Sequence, residues 1–97
     1  MIGKMVYSRY GHDKGKLFAV IQEDELHFYL ADGKSRLIKK PKKKKRKHVQ
    51  ITNYKSDVLL DKILNGTCLD LDIKMAVKKY KKIVNIGSEE IVEERRN

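Results

Sequence analysis

Residues 39–47 read Lys-Lys-Pro-Lys-Lys-Lys-Lys-Arg-Lys, eight cations around one proline. From Lys34 to Lys47 there are 10 lysines and arginines and no acid, while the chain's other 13 cations are matched by 13 carboxylates. The net charge of +10 therefore belongs to one short segment. Like charges packed this densely repel, and a polyanion relieves the repulsion by giving up its own counterions to the lysines. A polyphosphate backbone is the partner such a segment selects. An anionic lipid surface is the second choice, and residues 41–47 also resemble a nuclear-import signal.

Other chemistry finds little support. His12, His27 and His48 share no metal-ligand spacing, and the single Cys68 excludes both an internal disulfide and a multi-cysteine metal site. Gly11-His12-Asp13-Lys14-Gly15 lacks the Gly-Lys-Ser/Thr ending of a phosphate-binding P-loop. No acid and base are paired, and no nucleophile has an orienting partner. The expectation is a protein that is not an enzyme and needs no cofactor or metal.

The elements that must carry the cations follow from the hydropathy pattern. With 97 residues, 40% of them apolar, the chain is read as one small domain. No apolar stretch approaches the length of a membrane span, and nothing resembles a signal peptide; a cytoplasmic setting is expected. Short apolar runs at 4–8, 16–22 and 25–31, separated by glycine and acidic turns, read as a meander of strands. Leu26, Phe28 and Leu30 are expected on the core face of the third run. A fourth short strand is expected at Leu37-Ile38 and another from Val49, leaving the basic run as a loop, 39–47, tethered at both ends. The pattern then changes to helical. Residues 56–66 run from a serine cap to a glycine stop, and Leu69, Ile73, Ala76, Val77, Tyr80 and Val84 form an inward stripe ending near Gly87. Lys74, Lys78, Lys81 and Lys82 lie opposite that stripe, either complementing the helix dipole or offering a second basic face. The last residues, 88–97, carry a net charge of −2 and little to bury, and are expected to be a flexible tail.

The stretch from Gly3 to Val20, with its early glycine, Val6, the glycines at 11 and 15, a Lys14-Gly15 pair in the turn and an apolar strand after, resembles the KOW motif. That motif occurs in ribosomal proteins and NusG-type transcription factors. Over residues 3–52 the chain is most similar to small bacterial KOW proteins related to large-subunit ribosomal proteins of archaea and eukaryotes. Where those relatives commonly place Arg in the loop, this chain has His12. The resemblance implies a mainly β, α+β architecture: an SH3-like β-barrel at 1–54 and two short helices packed on it at 55–87.

It further implies an RNA-binding protein, ribosomal or ribosome-associated, that engages ribosomal RNA or ribosomal particles through the basic run and the KOW loop. The expected contacts are Arg9, Tyr10, His12, Lys14, Lys16, Lys39, Lys40, Lys42, Lys43, Lys44, Lys45, Arg46 and Lys47. The alternative is a protein-binding adaptor of the transcription or translation machinery that uses the same barrel as its interface.

Overall fold

The computed structural model describes the backbone of residues 1–96 and side chains as far as Asn85. Five strands, β1 (Lys4–Ser8), β2 (Leu17–Glu23), β3 (His27–Ala31), β4 (Lys42–Lys45) and β5 (Val49–Lys55), precede two helices, α1 (Asp57–Leu64) and α2 (Asp70–Arg96). The strands form one antiparallel sheet in the order β4-β3-β2-β1-β5. The outer strands β4 and β5 do not pair, so this α+β fold has an open sheet and not a closed barrel.

Alternation along the strands explains how so small a sheet is buried on both faces. Successive strand side chains point to opposite faces, and the continuous apolar run Leu17-Phe18-Ala19-Val20 therefore feeds two separate cores. Leu17 and Ala19 join Met5, Ala31, Leu59, Ile73 and Val77 under the helices. Phe18 and Val20 join Val6, Phe28, Leu30 and Val49, a cluster made of strand residues alone. Such a cluster can be dry only if the sheet curls over itself. Register shifts in β2 between Val20 and Gln22, and in the β1–β5 pair between Lys4 and Val6, are the irregularities that bend strands in this way.

The turns and helix starts follow local chemistry. Asp24 closes the β2–β3 hairpin by accepting from Leu26 N at 2.9 Å and His27 N at 2.7 Å. Burial would raise its carboxyl, but these bonds, with those from His27 and Tyr29, hold it at about 2. Ser56 caps α1 by accepting from Leu59 N at 3.2 Å. Gly33, at φ +75°, lies against the start of α2, where an added Cβ would run into the Asp70 carbonyl oxygen. No helix is long and apolar enough to cross a membrane among the described residues.

Five expectations are corrected. Leu37-Ile38 is not a strand, and the basic run is not a loop: Lys42–Lys45 is itself β4, followed by a single 3-10 turn at Arg46–His48. The β3 register supplies the reason, since Leu30 pairs with Lys42 and His27 with Lys45, giving β3 the outer neighbour it otherwise lacks. Leu26 sits in the hairpin turn and is exposed, so only Phe28 and Leu30 enter the core. Leu69 precedes α2 and is exposed too. The second helix is not short. α2 continues past Gly87, where a glycine costs only about 1 kcal/mol relative to Ala and no proline follows to enforce a stop. The flexible tail expected over 88–97 falls on residues whose side chains lie outside the described residues.

Candidate nucleic-acid interface

A strand that alternates faces sorts identical lysines into different jobs. Lys44 pairs in register with Phe28, on the strand-only core side, and is 8% exposed. Its Nζ donates to Ser8 Oγ at 2.7 Å, to the Tyr10 carbonyl at 2.6 Å and to the Asp13 carboxylate. β4 and β1 stand three strands apart in the sheet order, so this contact spans the opening of the curled sheet and ties β4 to the β1–β2 turn. Burial raises the Asp13 carboxyl, but hydrogen bonds from Lys44 and Ser8, with the charges of Lys44 and Lys42, outweigh it and leave the group below its ordinary value. Arg46 is also engaged: it bonds Glu23 at 2.7 Å and stacks over Phe28 at 4.5 Å.

The rest of the run points outward. Lys39, Lys40, Lys43, Lys45 and Lys47 are exposed and Lys42 half-buried. None of these six has an ion-pair partner among the described residues. Lys43 lies over the Tyr29 ring at 5.9 Å, which stiffens its stem without neutralising its charge.

The turn between β1 and β2 meets this edge directly. Arg9 N donates to the His48 carbonyl at 2.9 Å, and the Tyr10 and His48 rings lie 4.7 Å apart at an interplanar angle of 55°. Burial, then the charges of Lys47, Lys45 and Lys44, push the His48 imidazole below its ordinary pKa, favouring an uncharged ring at neutral pH. Arg9, Tyr10, His12, Lys14 and Lys16 are all exposed. The turn thus meets the basic run at the inward-turned Lys44 and at His48, whereas Arg46 lies on the β2–β3 hairpin and Lys39 borders a separate groove with Ile38, Ile63 and Cys68. Between the turn and β5 lies an open groove of about 560 Å³, lined by Tyr7, Arg9, Tyr10, Lys14, Gln50 and Thr52 among others.

The second basic set stands apart. Lys74, Lys78, Lys81 and Lys82 are exposed on α2, and no hydrogen bond or ion pair joins them to the β4 edge among the described residues. Lys78 and Lys82 instead flank a groove with Tyr54, Val58, Met75 and Ala76. Sequence reasoning missed Ser8 and Asp13 as anchors of Lys44, and Gln50 and His48 as parts of the interface. Asp13, the lone acid between Arg9 and Lys16, was the available signal. No group of three His, Cys, Asp or Glu side chains is placed to hold a metal ion among the described residues. Comparison with protein-family models and with curated proteins found no match.

Proposed function

We propose that this is an RNA-binding protein, ribosomal or ribosome-associated and cytoplasmic, that captures structured RNA on the β4 edge and the adjoining β1–β2 turn. The observation that carries the reading is the set of six lysines, from Lys39 to Lys47, without an ion-pair partner among the described residues, three of them on the outer strand β4. Cations held in a fixed row bind a phosphate backbone with less ordering cost than a loose loop would incur. Such contacts orient the molecule and leave selectivity to RNA shape.

A finer fold assignment belongs to the same proposal. We read the curled sheet as an SH3-like KOW barrel. The strand order, the 3-10 turn leading from β4 to β5, the strand-only core and the Lys44 tie support that reading.

The test is RNA binding by the full chain across a salt series. If about six phosphates are neutralised, log affinity falls against log salt with a slope of about −4 to −5. Changing Lys43, Lys45 and Lys47 together to Ser lowers that slope by about 2 to 3 and weakens binding to all RNAs alike. A flat salt response overturns the proposal.

The adaptor reading has one observation in its favour. Val58 and Met75, both more than half exposed, border the lysine-flanked groove between α1 and α2. A protein partner retained after nuclease treatment, and lost on Met75→Glu, would favour it.

A further inference from the structure

We infer that the groove between the β1–β2 turn and β5 receives a single unpaired RNA base stacked on Tyr10, so that the ligand is RNA carrying a bulge or loop and not an uninterrupted duplex. The inference rests on the RNA-binding reading and deepens it.

Tyr10 is the only one of the seven aromatic residues to be exposed, at 54%. Tyr7, Tyr29, Tyr54 and Tyr80 are half-buried, and Phe18 and Phe28 are buried. An exposed tyrosine is by itself ordinary. What sets this one apart is that its position is fixed although its ring is open. Its carbonyl accepts from both Ser8 Oγ and Lys44 Nζ, and its ring rests against His48, which Arg9 N holds through the backbone. The buried Lys44 thus has a second consequence besides closing the sheet. By bonding the Tyr10 carbonyl it fixes the backbone from which the ring projects, and the His48 ring beside it narrows where that ring can turn, so less freedom is lost when a base stacks there.

The surroundings match a nucleotide. Arg9 and Lys14, both exposed and without an ion-pair partner among the described residues, stand beside Tyr10 in the groove, where the phosphates on either side of a stacked base would lie. The Gln50 amide has no hydrogen bond among the described residues, which leaves a donor and an acceptor free for a base edge. The groove's volume is in the range of small-ligand clefts. In an A-form duplex the bases are stacked inside and their deep major-groove edges are closed to side chains, so only a base out of the stack can lie flat on Tyr10.

The experiment compares two RNA hairpins of equal length and charge, one with a single 2-aminopurine bulge and one fully paired, titrated with the full chain. The bulged hairpin should bind about 5- to 150-fold more tightly, the span of base–aromatic stacking, with a change in 2-aminopurine fluorescence. Tyr10→Ala should abolish both the preference and the fluorescence change, so that the two hairpins bind alike, with a salt slope that still reports the lysine contacts. Tyr10→Phe should keep the preference. Gln50→Ala, on a strand surface away from both cores, should weaken the bulged hairpin only. Equal affinity of the unmodified protein for both hairpins overturns the inference and leaves the RNA-binding reading standing. A preference for the bulged hairpin that survives Tyr10→Ala, with an unchanged circular dichroism spectrum, overturns the inference as well. Failure to bind either hairpin overturns both.

Discussion

Lys43 and Lys44 are chemically identical neighbours, and the face of β4 that each occupies separates their roles. Lys43 meets solvent, whereas the buried Lys44 closes an ion pair with the half-buried Asp13. Removing one member of such a pair strands the other charge in a poorly solvated site, at a cost of about 3–5 kcal/mol. Lys44→Ala should therefore lower Tm by more than about 10 °C, while Lys43→Ala stays within about 0.5 kcal/mol of the unmodified protein. The pair also sets a pH response. The Asp13 carboxyl is lowered by folding, so its contribution is fully present above the ordinary carboxylate value, about 4, and is lost as pH falls through the lowered value. Asp13→Asn should flatten that acid limb in melts followed by circular dichroism. An unchanged Tm for Lys44→Ala would show that the pair adds nothing. None of this was legible in the sequence, because strand faces are read from alternation and four consecutive lysines have no alternation to read.

At the scale of the elements, the strands with mixed side chains were legible and the one without was not. β1, β2 and β3 match runs that apolar residues and turn glycines delimit, and α1 lies between the Ser56 cap and Gly66 as expected. Leu26 and Leu69 were misplaced because periodicity was carried one residue past the element into a turn. How α2 docks was invisible as well, since it depends on Gly33 receiving the first turn of the helix at contact distance. Gly33→Ala must drive a methyl group into the Asp70 carbonyl and to 2.6 Å from Lys74 N, both backbone atoms of a helix that cannot give locally. Gly66 has nearly the same backbone angle, φ +76°, but nothing within 4 Å. Gly66→Ala therefore isolates the conformational penalty, about 1–2 kcal/mol, and Gly33→Ala should exceed it by at least about 1 kcal/mol through the added clash. Urea unfolding of the two variants checks the difference. Equal costs would mean that α2 shifts freely on the sheet.

Across the whole molecule, one charge distribution acts on stability and on binding with opposite sign. Lys42, Lys43, Lys45 and Lys47, without ion-pair partners among the described residues, repel one another in the folded protein, where the strand and the 3-10 turn hold them close, more than in an expanded chain. Salt screens this repulsion over a Debye length of about 10 Å at 0.1 M, so it stabilises the fold while it weakens capture of a polyanion. The partly buried Lys44–Asp13 pair is screened far less and should not reverse the trend. Tm should rise between about 0.02 and 0.3 M salt, over the range in which RNA affinity falls steeply. Changing Lys43, Lys45 and Lys47 to Ser should raise Tm at low salt and flatten both salt responses together, since the same charges drive both. Melting curves and RNA titrations at matched salt concentrations test the coupling. A Tm that fell with added salt would mean that the half-buried ion pairs, Arg46 with Glu23 and Lys62 with Asp72, outweigh the repulsion along the edge.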